Sequence, residues 1–180
     1  QMQAGFHVAH SLFTTNHPER FADSKAIDVN GNQIMYGPNN MDYYGKYFSK
    51  ELVEDNWRWW IFYPSATNSF GKYMLDAADY MINEMNANFI WADGYISGYV
   101  REGFVYDHFD GHSVTIDPVS KRVTRQKAQI TWTALPILKA VAQKFADAGG
   151  TLVSNGRPGP PSYWPYKVVT SCETSGGDAQ

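Results

Sequence analysis

Cysteine is nearly absent from this chain: Cys172 stands alone. An intrachain disulfide is therefore excluded, as is a zinc site built from four cysteines. There is no excess of positive charge either. The formal net charge is -3, which gives no general attraction to nucleic acid or to an anionic membrane. No apolar run approaches the roughly 20 residues of a membrane span, and residues 1–10 lack the basic start and apolar core of a signal peptide. Also missing are a G-x-G-x-x-G turn, a P-loop and a G-x-S-x-G elbow, so nucleotide binding and an α/β-hydrolase nucleophile have no sequence support.

What the chain does have is apolar and aromatic material. Hydrophobic residues make up 43% of its 180 residues and aromatic residues 16%, enough to fill one domain with a real core. Aromatic rings stack on the C–H faces of sugars, but most serve in cores, and that is the first reading for any single one here.

Periodicity suggests alternating strands and helices. Residues 5–13 (GFHVAHSLF) read as a first strand, with exit at His17-Pro18. A polar stretch follows, and Asp28-Val29-Asn30-Gly31-Asn32 carries the Asn-Gly signal of a tight hairpin. Residues 49–56 (SKELVEDN) suggest a short helix, and residues 59–63 (WWIFY) a buried strand ended by Pro64. Phe70, Met74, Ala77, Ala78, Met81 and Met85 then share a helical face, with Ser69 as the expected N-cap and Asn86 near the exit.

This helix leads into Asn88-Phe89-Ile90-Trp91-Ala92-Asp93-Gly94-Tyr95, a short apolar run that reads as a buried parallel strand. A long connection, residues 94–123, comes next, of the kind that is functional or carries its own structure. A second helix is expected from Thr124 through Ala128, Ile130, Trp132, Leu135, Leu138, Val141, Ala142 and Phe145 to Gly149-Gly150, with Pro136 causing a kink or break near Leu135. Residues 151–155 (TLVSN) and 166–170 (YKVVT) complete the strands, and residues 171–180 read as a disordered polar tail beyond a single domain of residues 1–170. The order predicts an α/β fold with a parallel sheet. At this length a full eight-stranded barrel, which takes roughly 250 residues, does not fit. Together with Gln1 in place of Met, this leads us to expect a trimmed or partial chain.

Asp93 is the leading functional residue, because ligands and chemistry gather where parallel strands end. Trp91 and Tyr95 flank it as candidate substrate contacts, and Asn155 holds the same end-of-strand position with Arg157 just beyond. The long connection contains Glu102, Asp107, His108, Asp110 and His112. Within residues 107–112 alone, two acids and two imidazoles can hold sugar hydroxyls or run acid/base chemistry. In extended chain His108, Asp110 and His112 would share a face, so a metal-dependent hydrolase is a rival reading, although no metal site is assigned. His7 and His10, spaced by three on a strand, point to opposite faces and are not a metal pair; His7 reads as a core histidine and His10 as a ligand contact near the strand's functional end.

Residues 62–158 resemble the C-terminal half of a group of glycoside-hydrolase-like (β/α) barrels from bacterial and environmental sequences. The likeness is carried by FYPSATNSFGKYML, NANFIWADGY, YDHFDGHSVTIDP, VTRQKA and GGTLVSNGRP. It implies a partial or small TIM-type barrel, a carbohydrate ligand, no cofactor and an extracellular or periplasmic setting. A partial sheet also leads us to expect a homo-oligomer that completes it. Many such barrels place Glu directly after the strand-end Asp, whereas here Gly94 follows Asp93. A glycosidase needs two carboxyl groups, so the partner must come from Asp110, Asp107 or Glu102. Failing that, the domain binds glycans without cleaving them.

Overall fold

The structure is a computed structural model, and it describes residues 5–9, 18–36, 59–93, 103–155 and 169–171. Its centre is a four-stranded sheet of β1 (Gly5–Ala9), β4 (Phe89–Asp93), β9 (Thr151–Asn155) and β10 (Val169–Ser171), in that order. All three pairings are parallel. Order along the sheet thus follows order along the chain, and among the described residues the sheet is open. The expected α/β class with parallel strands is present; a closed barrel is not.

Helix α1 (Ser69–Asn83) precedes β4, and α2 (Ile130–Asp147) precedes β9. In α2 the buried residues Ile130, Ala134, Ile137, Leu138, Val141, Ala142 and Phe145 recur at helical spacing. They form one cluster with Ala78 of α1, Ile90 and Ala92 of β4, and Leu152 of β9. Both helices therefore lie against the same face of the sheet. Trp91 and Val153, of the opposite parity, are only half-buried.

Each helix start has a specific cause. Asn68, not Ser69, caps α1: its side-chain oxygen accepts from the backbone N–H groups of Gly71 and Ser65, both at 2.9 Å. The Ser69 hydroxyl is taken instead by Asp23, in the 3-10 segment Pro18–Ser24. Gly71 is required by close approach, since a Cβ there would sit 1.9 Å from the Ser65 carbonyl oxygen. Gln129 caps α2, accepting from Trp132 N–H at 2.7 Å. At the far end, Gly149 adopts φ +75 and the Gly149 and Gly150 N–H groups bond back to Ala146 and Phe145, ending α2 where the glycine pair predicts.

Three expectations change. The WWIFY run is not a strand of the parallel sheet. Its β3 (Trp59–Trp60) pairs antiparallel with β2 (Met35–Tyr36), while Phe62 bridges to Lys25. The run is apolar because it separates two cores: Ile61 belongs to the main cluster, and Phe62 packs with Phe21 and Phe70 in a second. The second helix does not begin at Thr124. Residues Val123–Gln126 form β7, fully on the surface and paired with β6 (Val114–Ile116), and β8 (Ala128–Gln129) pairs with β5 (Phe104–Val105) before α2 starts. Apolar periodicity truly begins at Ile130. Finally, α2 runs unbroken through Pro136. Pro136 is exposed, as is Trp132 one turn earlier, so the carbonyl that proline leaves without a donor faces water.

The hairpin signal at residues 28–32 is borne out. Asp28 accepts from the N–H groups of Asn30 and Asn32, Gly31 adopts φ +86, and Ile27 bridges to Gln33. The helix expected at residues 49–56, residues 166–168 of YKVVT and residues 172–180 lie outside the described residues, while Ser171, expected in the tail, ends β10.

Candidate functional site

Parallel strands joined through helices bring the C-terminal strand ends and the helix N-termini to one edge of the sheet. Asp93 closes β4, an interior strand, level with Ala9 of β1, and Asn155 closes β9 level with Ser171. Because Ala92 pairs with Ser154, positions 93 and 155 sit side by side at neighbouring strand ends. The structure thus brings these two expected site positions together at the backbone level. Trp91 lies on the same strand, half-buried, paired with positions 7 and 153. His10, Tyr95, Glu102 and Arg157 lie outside the described residues.

The remaining candidates belong to the insert between β4 and α2, residues 103–129, and it is not extended. Asp110 accepts from the N–H groups of His112 (2.8 Å), Ser113 (2.6 Å) and Gln129 (2.8 Å) and from the Ser113 hydroxyl (2.7 Å). Burial disfavours its charge, but these bonds outweigh burial and hold the carboxyl well below the usual carboxylate range. Such a group is a poor proton donor near neutral pH. Its occupation is structural: it folds the turn and ties it to the start of α2. His112 is exposed, and its backbone rather than its ring meets Asp110. The common face on which a His108, Asp110 and His112 metal site depends is therefore not formed, and no three metal-ligating side chains converge among the described residues.

Asp107 and His108 do come together. Asp107 Oδ1 lies 3.0 Å from His108 Nδ1. The ring of Tyr63 lies over the imidazole with centroids 4.4 Å apart. Burial, followed by the charges of Asp107 and Asp23, pushes the Tyr63 phenol above its ordinary value, so it remains a donor. Tyr63 is held by its backbone: its N–H donates to Ser24, and its carbonyl accepts from the Asn68 side chain at 2.8 Å. That places the cluster beside the N-terminus of α1.

Tyr63 was not legible as a site residue, because its partners are distant in sequence and WWIFY reads as core. The nearby Asp23 is a second omission. It accepts from the Ser69 N–H (2.9 Å) and from the Ser24 hydroxyl (2.9 Å), and the Ser69 bonds with its hydroxyl and N–H lead the causes that lower its pKa. A polar residue just ahead of a helix signals a cap, but Asp23 reaches its helix from another segment.

Comparison with protein-family models, curated proteins and solved structures finds no match to this chain. The likeness to glycoside-hydrolase barrels therefore rests on the quoted residues alone. No helix among the described residues is long and apolar enough to cross a membrane.

Proposed function

We propose that the C-terminal edge of the parallel sheet is the site of a glycoside-hydrolase-like domain on a partial (β/α) barrel, cleaving an oligo- or polysaccharide with Asp93 and a loop carboxylate. The observation that carries the reading is the sheet itself: strand order equals chain order and both helices lie on one face, so Asp93 ends an interior strand. A barrel arc has that winding, and its catalytic groups come from strand ends and the loops beyond them. Asp107 is the favoured partner among the described loop acids, because both oxygens of Asp110 are already taken. Among the described residues β1 and β10 are the outer strands, so a second copy is the proposed partner for sheet completion, and light scattering that gives a monomer rejects it.

The test is Asp93→Asn and Asp107→Asn against a panel of glycans. Each is expected to lower the cleavage rate by about 100-fold or more. Full rate in both variants, with wild type active, removes the assignment. A non-catalytic glycan-binding domain is the second reading, favoured by Gly94 beside Asp93 and by the structural engagement of Asp110. Calorimetric binding without released sugar on long incubation supports it.

A further inference from the structure

A carboxylate can only accept, so the contact between Asp107 and His108 makes Nδ1 the protonated nitrogen of the neutral ring. The lone pair is then on Nε2. Tyr63 fixes the arrangement by laying its ring against the imidazole. Nε2 itself is enclosed and has no hydrogen-bond partner among the described residues. Buried polar atoms are nearly always paired, so an orphan held this firmly calls for an explanation. The His108 side chain keeps 28% of its surface exposed while Nε2 itself is covered, so an incoming O–H group reaches Nε2 only when the atoms covering it move aside.

We propose that Asp107, His108 and Tyr63 form a proton-accepting site, in which His108 Nε2 takes the proton of an O–H group, from an alcohol-type ligand such as a sugar or from water. In that step the O–H bond breaks, an N–H bond forms at Nε2, and the electron pair stays on the oxygen as a nucleophile. The resulting imidazolium faces the Asp107 carboxylate, which balances its charge. His108 is the catalytic residue of this pair, and Asp107 and Tyr63 are positioning residues. The inference shares with the glycosidase reading only the view that this edge of the molecule is a site, and it moves the proton-carrying role from Asp107 to the imidazole.

Two measurements test it without a glycan. Long-range proton–nitrogen NMR of the whole chain above the histidine titration is expected to show His108 protonated on Nδ1 and bare on Nε2. Asp107→Ala is expected to move that proton to Nε2; a wild-type ring protonated on Nε2 overturns the proposal. Hydrolysis of p-nitrophenyl acetate is expected to exceed that of free imidazole at equal concentration and to fall at least 10-fold in His108→Gln, with a smaller loss in Tyr63→Phe. An unchanged rate in His108→Gln overturns it. Adding glycerol separates the two sources of O–H: acetylglycerol as product identifies an alcohol site, and acetate alone identifies water. An inactive glycan panel, by contrast, sinks the glycosidase reading and leaves both measurements standing.

Discussion

In the helix-backed sheet, Ile90, Ala92, Leu138, Phe145 and Leu152 are at most 5% exposed, whereas in the insert Ile116, Val119 and Val123 are 55, 89 and 58% exposed. The two regions are held by different physics. The first is an apolar layer in which side chains from α1, α2, β4 and β9 exclude water. The second takes its conformation from polar turns. Asp110 gathers donors at one end of the β6–β7 hairpin, and Asp117 accepts from the N–H groups of Val119 and Ser120 at the other. Cation–π contacts of Arg125 with Tyr106 and Lys127 with Phe104 lie between them. The insert's base joins the scaffold, since Val105 and Ala128 are fully buried in the main cluster, while its hairpin is carried outside that core.

The sharpest way to break this contrast is to delete apolar volume on each side. Phe145→Ala empties a fully buried site and is expected to cost about 3–5 kcal/mol. Val119→Ala, at the hairpin tip, is expected to change stability by less than about 0.5 kcal/mol. Chemical denaturation of both variants checks the pair, and similar losses remove the distinction.

Next in size is the polar counterpart. Asp110→Ala strands the N–H groups of His112, Ser113 and Gln129 and is expected to cost about 2–3 kcal/mol, since bonds to a charged acceptor are the strong ones. Because the folded-state pKa of Asp110 lies below its unfolded value, the carboxylate contributes stability above the ordinary carboxylate range. That contribution is lost as pH falls from about 4 toward the depressed folded value. The gap in thermal stability between wild type and Asp110→Ala should be full at pH 7 and narrow below pH 4. A gap independent of pH contradicts the electrostatic account of the insert.

The same contrast explains what could be read from sequence. Helices α1 and α2, the strands at residues 89–93 and 151–155 and the Gly149-Gly150 stop were legible because a buried face repeats at the period of its element. The insert was not, because β5 and β8 are only two residues long and β6 and β7 lie largely exposed, so none carries a face to repeat. Thr124, Arg125 and Gln126 look helical only by proximity to Ile130. In WWIFY, burial between two cores imitates the double-sided burial of a parallel strand. The strand-end places of Asp93 and Asn155 were legible from a local signal alone. The bond of Asp110 to Gln129 and the ring contact of His108 with Tyr63 depend on chain crossings that spacing does not encode.

Smaller effects sharpen the contrast within the helical layer. Asn68→Ala removes the acceptor shared by Gly71 and Ser65 and is expected to cost about 1 kcal/mol. Gly71→Ala, which meets backbone rather than a flexible side chain, is expected to cost about 1–3 kcal/mol despite alanine's better helix propensity. Stabilisation by alanine at position 71 would contradict the close approach of the Ser65 carbonyl.

The smallest effects are expected from the ion pairs, and they test whether apolar packing is what holds the layer. Lys144–Asp79 and Lys72–Asp76 both measure 2.6 Å, but the first spans α2 and α1 while the second stays within α1. Side-chain exposures are 34 and 48% in the first pair and 74 and 59% in the second, so water screens the second more fully. Double-mutant cycles to Gln and Asn should give about 0.3 kcal/mol for Lys72–Asp76 and up to about 1 kcal/mol for Lys144–Asp79, both shrinking in 1 M salt. The interhelical pair gains because Phe145 and Ala78, already fixed by burial, hold its two helices side by side, so less side-chain freedom is lost in making it. A coupling well above 1 kcal/mol that survives salt would make the pair a determinant of the helix layer rather than a consequence of its packing.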